Sequence, residues 1–503
     1  MDLGEWGGRE PTKWDWLAAM ALATLWVALI RPGPLSLPYF WDEADVYVPG
    51  AQWLARHGLD LRPGVFPDDW SRGHPPLLYL LAGVAFRLFG PAPTVGHLVV
   101  LPFTALALAG TYLLGATLFG RRAGGAAALL LGCTPLFMAI GNMLLPEVPL
   151  TAVTVLALYC LARGRLIPAV ALGSGAVLLK ETGVFTALAI TGALLWDAWR
   201  TQTLRDQRTW MRLAISLVPV AVLCGFFLWQ KLLAGYFIYP HHQNLLWDRP
   251  LGWRDLGTVW PSLLFWHGRW VVIAAALLWV AILAALKSLP GAAPPPPGTE
   301  RWRPTFSTSV VAILLLVAAN AVFFVKMFWL ERYALPAHPG IVVLACGALL
   351  GGLTLTKSPW DRRGPVFRWA AVGAAVLVGF FALRSRSGPD RAEHTFAYAD
   401  VIETHRDAFR GITRRGGKNP TVLTSWPMTV ELRRPWLGYV DRSVRTIHID
   451  YLSSQPRARI DLILVAARSS HAPKLRREAQ LRGMKLVKAF RRGKAQTLEL
   501  YAP

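Results

Sequence analysis

Three groups of side chains in this sequence stand where charge needs a reason to persist. The first is Trp41-Asp42-Glu43-Ala44-Asp45. The second is Asn142-Met143-Leu144-Leu145-Pro146-Glu147. The third is cationic: Arg72, His74, Lys180, Lys231, Lys326 and Arg332. All lie beside long apolar runs, and an ionised group near hydrocarbon is costly unless it has a partner or a task. Two carboxylates from distant stretches, flanking one cavity, can do acid–base work on a hydroxyl or hold a divalent cation. Arg and Lys recognise phosphate through charge and hydrogen bonds. Plainer readings stand beside these. Asp42 and Glu43 precede a helix start and Glu147 opens one, and acids favour that end of the helix dipole. Adjacent Lys180 and Glu181 can neutralise each other. His241 and His242 point different ways, so joint metal ligation is not expected; either one can touch a substrate or move a proton.

The elements that must position these groups are membrane helices. The chain has 503 residues, 54% hydrophobic and 17% charged, which excludes a single large soluble enzyme and a disordered chain. Its mean hydropathy is +0.37. Apolar runs fall at 14–30, 95–118, 123–141, 148–162, 166–179, 183–199, 213–235, 264–286, 307–328, 334–356 and 366–383, eleven in all. The first run ends in Arg31-Pro32 without a cleavage pattern, so it is expected to be retained as a helix. The 23 Trp suit two membrane–water interfaces. The net charge of +23 fits basic cytoplasmic loops meeting anionic membrane lipids better than a nucleic-acid partner. The four cysteines all lie in apolar runs and form no metal or disulfide pattern.

A twelfth run, 75–90, is short and carries Arg87. If it does not cross, the basic clusters at 121–122, 163–165, 200–212, 287–303 and 357–368 all share the N-terminal, cytoplasmic side. The alternative, twelve crossings, places loop 31–74 inside with four Arg against six acids, a poor inner loop. Residues 75–90 are therefore expected to lie in the outer interface. A second short interfacial helix is expected from 45–48 onward, since Pro49 is tolerated only in a first turn. This layout puts Asp42, Glu147, Lys180 and Arg332 on one outer side.

Residues 386–503 change character. They hold 23 Lys+Arg and 11 Asp+Glu, net +12, with strand-like segments at 421–424, 460–466 and 497–501 and a basic helix at 471–483. The reading is a membrane domain, 1–385, followed by a small extracytoplasmic α/β domain, 386–503. Its basic surface is either a solubilising face or a dock for anionic lipid or an anionic acceptor.

Walker, GxSxG, HExxH, EF-hand and dinucleotide patterns are absent from the sequence. An outward site has no access to cytoplasmic nucleotides, so an activated donor must arrive in the membrane. At this point the chain resembles the GT-C glycosyltransferases, in the branch with protein O-mannosyltransferases and lipid A aminoarabinose transferases. The motifs are Trp-Asp-Glu-Ala-Asp-Val-Tyr (41–47), Gly-His-Pro-Pro-Leu (73–77), Leu-Pro-Glu-Val-Pro-Leu (145–150), Leu-Leu-Lys-Glu (178–181) and Glu-Arg-Tyr-Ala-Leu-Pro (331–336). The resemblance implies a polytopic helical enzyme of the plasma (inner) membrane, with two interfacial helices in the first outer loop. It implies transfer, with inversion, from a polyprenyl-phosphate sugar to a lipid, glycan or protein acceptor. Asp42 would act on the acceptor hydroxyl, with Glu147 and Glu43 as further acids. Lys180, Arg332, His74 and Arg72 would hold the leaving phosphate, and His241, His242 and Tyr333 would contact substrate. No metal ligand set is assigned, and a divalent cation stays open. Relatives often carry Lys where this chain has His74, and Asp where it has Glu147. Two other classes stay open: a flippase or transporter for a lipid-linked sugar, and a non-catalytic membrane scaffold.

Overall fold

The computed structural model describes residues 12–30, 35–240, 242–243, 253–264, 269–287, 308–326, 330–350, 366, 369–374, 376–377, 395–415, 419–454, 458–493 and 495–503. Most of the apolar runs become helices at the expected places: Lys13–Ile30, Pro93–Phe119, Glu147–Ala162, Leu166–Leu179, Val184–Arg200, Arg269–Lys287, Thr308–Lys326 and His338–Leu350. Two runs break. The run at 123–141 divides into Arg121–Gly132 and Pro135–Ile140, because Pro135 lacks the N–H that would continue the ladder. The run at 213–235 divides into Gln207–Ser216 and Val218–Ala234, bent by 41°, with Pro219 in the first turn of the second helix. Four described helices are long and apolar enough to cross a membrane unaided, and the bent pair makes five. The run at 366–383 lies mostly outside the described residues.

Both short helices expected between the first two long helices form. A π-turn at Glu43–Tyr47 leads into Val48–Arg56, with Pro49 in its first turn. Leu77–Phe89 buries Leu78, Tyr79, Ala82, Gly83 and Phe86, a helical spacing, and packs that stripe on Val48–Arg56. Its other side leaves Val84, Leu88 and Phe89 exposed. An apolar face with no protein against it is what an interfacial helix presents to lipid.

Pro93–Phe119 is the central helix, packed on Lys13–Ile30, Arg121–Gly132 and Glu147–Ala162. Small residues let these backbones approach: a Cβ added to Gly115 would fall 2.8 Å from the Cα of Gly124. Polar ties fix the register. The indole of Trp26 donates to the Gly132 carbonyl at 2.8 Å, and Thr104 Oγ1 donates to the Gly141 carbonyl at 2.6 Å. A buried donor left unpaired would cost about 1–3 kcal/mol, so each tie selects one packing.

The C-terminal region is a five-stranded sheet: β1 (Thr421–Thr424), β2 (Arg445–His448), β3 (Leu462–Ala466), β4 (Lys485–Phe490) and β5 (Leu498–Ala502). The order is β2-β1-β3-β5-β4. β1 runs parallel to β2 and β3, while β5 runs antiparallel to β3 and β4. Successive side chains leave opposite faces. Val422, Leu462 and Leu464 therefore join one core with helix Ala397–Arg415. Leu423, Ile463 and Val465 join another with helix Ala472–Leu481. The reading from sequence found β1, β3, β5 and this last helix. It missed β2 and β4, whose burial is broken by charged edge positions such as Arg445, Lys485 and Lys488.

The sheet region sits on the segment that follows helix Lys13–Ile30. Tyr39 N–H donates to the Leu437 carbonyl at 3.0 Å. Phe40 packs on Tyr398, and Trp41 on Trp426, with ring centres 5.8 and 5.5 Å apart.

Candidate active site

Four residues far apart in sequence meet where the helix ends converge under this segment. Asp42 precedes the π-turn, and its carboxylate makes no cap hydrogen bond. It pairs instead with the guanidinium of Arg332, from the 3₁₀ segment Glu331–Ala337. Arg332 Nε lies 3.5 Å from Glu147 Oε1, at the start of helix Glu147–Ala162. Lys180 Nζ bonds the same oxygen at 2.9 Å. Lys180 has extended backbone where helix Leu166–Leu179 ends, so the chain turns there before the next helix. The ring of Tyr333 lies 3.9 Å from Lys180 Nζ and 5.4 Å from the Arg332 guanidinium carbon, a cation–π floor for both. The charges thus run Lys180, Glu147, Arg332, Asp42.

Exposure ranks them. The side chains of Lys180, Glu147 and Arg332 are 8%, 2% and 2% exposed, while Asp42 is 26% exposed. Asp42 is therefore the carboxylate open to an incoming group. Glu147 Oε2, although buried, has no hydrogen-bond partner among the described residues, and neither polar atom of buried Asn142 has one. Burial alone would raise the pKa of Asp42. The Arg332 guanidinium, with Arg72 and Lys180 behind it, overrides this and holds the carboxyl below the usual range.

The other expected site residues have partners of their own. Adjacent Lys180 and Glu181 take separate hydrogen-bonded partners: Lys180 goes to Glu147, and Glu181 takes His74 Nδ1 at 3.1 Å. His74 also stacks on Tyr47, and its ring centre is 5.0 Å from that of His242. His241 lies outside the described residues. Arg72 pairs with Asp45 at 2.9 Å. Lys231 stays apart, exposed and bonded to the Gly235 carbonyl, and the side chain of Lys326 lies outside the described residues.

Glu43 does something the sequence reading did not foresee. It is 1% exposed, accepts from Phe40 N at 3.0 Å and Leu144 N at 2.5 Å, and lies 3.2 Å from His97 Nε2. It pins the loop carrying Asp42 to the turn carrying Glu147. His97 was missed altogether. The available signal was a lone imidazole at the end of an apolar run, where a buried polar ring needs a partner.

Two carboxylates already matched by two cations are a poor metal cage. A divalent cation would have to displace Arg332 from both acids at once. The set suits an anion that takes up the cations and frees the acids.

The comparisons with known proteins fall on this geometry. Residues 73–226 match the family model described as dolichyl-phosphate-mannose-protein mannosyltransferase. No curated protein matches the sequence. Among solved structures, ArnT from Cupriavidus metallidurans bound to undecaprenyl phosphate is similar at a TM-score of 0.58 and 15% identity, over 98% of both chains. The Archaeoglobus fulgidus oligosaccharyltransferase in complex with Zn and sulfate is similar at 0.50 and 11% identity, over 92% of this chain and 69% of that one. The mycobacterial arabinofuranosyltransferase AftD is similar at 0.50 and 16% identity, over 98% of this chain and 40% of that one. The molecule is a polytopic helical membrane protein with a small C-terminal sheet domain. Its fold is that of the GT-C glycosyltransferases, as the motifs implied.

Proposed function

We propose that the chain is a membrane glycosyltransferase that moves a sugar from a polyprenyl-phosphate donor to a lipid, glycan or protein acceptor, with inversion, on the outer face of the plasma membrane. Eleven crossings, with residues 386–503 outside, belong to the same proposal. The observation that carries it is the row Lys180–Glu147–Arg332–Asp42, built from four separate segments at one point. The undecaprenyl phosphate named for the ArnT structure supports a polyprenyl-linked donor.

The residues divide the chemistry. The donor phosphate takes Arg332 and Lys180, with His74 and Arg72 nearby and His241, His242 and Tyr333 toward the rest of the substrate. Drawing Arg332 onto phosphate removes the cation that holds Asp42 acidic, so donor binding raises the basicity of Asp42 when a base is needed. The acceptor oxygen then bonds to the anomeric carbon. The bond from that carbon to the phosphate oxygen breaks, and the electron pair leaves with the phosphate. The hydroxyl proton passes to Asp42. Glu147 holds both cations in place, and Glu43 positions the two loops.

The test is incubation of purified chain with radiolabelled polyprenyl-phosphate sugars and membrane extract. Label is expected to move from donor to an acceptor in the native chain and to stay on the donor in Asp42→Asn. Unimpaired transfer by that variant would remove Asp42 from the mechanism.

A further inference from the structure

The C-terminal region has a cleft of its own, about 600 Å³, between helix Met428–Arg433 and the β2 edge. Its wall includes Trp426, Arg433, Arg434, His448 and Tyr451. Trp426 and Tyr451 are 36% and 67% exposed, although Trp426 meets Trp41 and Tyr451 meets His448, with ring centres 5.5 and 5.8 Å apart. Arg433 spends one terminal nitrogen on the Thr446 carbonyl and hydroxyl, at 3.3 and 3.2 Å. Arg434 spends one on the Ala44 carbonyl at 3.4 Å. A guanidinium has five N–H donors, so both keep donors for a ligand. The one carboxylate on the wall, Asp450, is matched by His471 at 3.0 Å and Lys474 at 3.2 Å.

The position of the cleft matters as much as its lining. Trp426 packs edge-on against Trp41, and Arg434 reaches Ala44. These two residues bracket Asp42 and Glu43 in the chain. A molecule lying in the cleft is therefore delivered toward the catalytic loop. Two rings with two guanidinium groups on one wall match a sugar ring that carries a negative charge: flat apolar faces for the ring, bidentate donors for a carboxylate or phosphate.

We propose that this cleft binds the acceptor, and that the acceptor is an anionic glycan bearing a carboxylate or phosphate near the accepting hydroxyl. The proposal rests on the transfer reading above and names its substrate class.

Binding rather than turnover tests it. The purified full chain is titrated with trigalacturonate, its methyl ester, mannose 6-phosphate, mannose and phosphatidylglycerol vesicles. The charged sugars are expected to bind at least about tenfold more tightly than their neutral counterparts. Arg433→Gln and Trp426→Ala are each expected to lose about tenfold for the charged sugars, with undecaprenyl phosphate binding unchanged as a check on folding. Equal binding of charged and neutral sugars overturns the proposal, as does wild-type affinity in both variants. Binding confined to the vesicles also overturns it and assigns the face to membrane docking. If undecaprenyl phosphate fails to bind while trigalacturonate binds through Arg433, the transfer reading falls and an acidic-glycan site remains. The reverse pattern overturns the cleft alone.

Discussion

Two carboxylate clusters, one at the start of helix Lys13–Ile30 and one around Asp42 and Glu147, are built differently. At the start of helix Lys13–Ile30, Asp15 is 3% exposed and saturated. It accepts from Thr12 N and Oγ1 at 2.7 Å each, from Arg121 Nε at 2.5 Å and from Tyr112 OH at 3.3 Å. Every partner comes from the same helix start or its two neighbours, and both oxygens are taken. In the second cluster, Asp42 and Glu147 share two cations, Asp42 is partly open, and one oxygen of Glu147 has no hydrogen-bond partner among the described residues. A saturated buried acid fixes packing. An acid with acceptor capacity left over, beside two cations, has the arrangement on which the proposed donor site rests.

Substitutions in the two clusters should therefore act on different observables. Asp42→Asn is expected to lower transfer by about 10²–10⁴-fold with the melting temperature unchanged. A melting temperature that fell in step with activity would make Asp42 another Asp15. Arg332→Ala is expected to weaken donor binding about tenfold or more and to leave acceptor binding alone. Arg332→Lys should recover part of the loss, since it keeps the charge without the planar fork. An unchanged donor affinity in the alanine variant would argue against a phosphate role. Asp15→Asn should do the converse: a loss of about 1–3 kcal/mol in stability, read by thermal unfolding, with kcat close to wild type.

The smallest expected effect is on pH. Because Arg332 holds the Asp42 carboxyl below the usual range, the carboxylate is ionised throughout neutral and mildly acidic conditions. Its ionisation is lost only as pH falls through that depressed value. Activity of the free enzyme, followed as kcat/KM, should therefore show no acid limb above about pH 4, the ordinary carboxylate range. Arg332→Gln should move the limb upward. A wild-type limb near pH 6 would indicate a different titrating group.

Much of this was legible along the chain. Apolar run length gave the helices, and the side on which Arg and Lys cluster put Asp42, Glu147, Lys180 and Arg332 at one level. Pro49 gave the start of the interfacial helix. Pairings were not legible. Lys180 beside Glu181 read as a local pair, yet each residue found a partner across the fold, 33 and 107 positions away. Neighbours on an extended or 3₁₀ backbone point apart, and sequence adjacency carries no information about which cavity each one enters. Glu43 and Asp42 show the same limit. Both are carboxylic acids and they are adjacent, but one is sealed against His97 and Leu144 N and the other is partly open.

What the sequence determined by itself was class and level: hydrophobic length and charge asymmetry are one-dimensional properties, and the bilayer reads them directly. Tertiary structure alone decided which charge meets which, which acid stays open, and that the basic C-terminal cleft abuts the loop of Asp42. Those outcomes depend on distances of a few ångströms between segments tens to hundreds of residues apart, fixed by helix packing and by buried hydrogen bonds that no local pattern encodes.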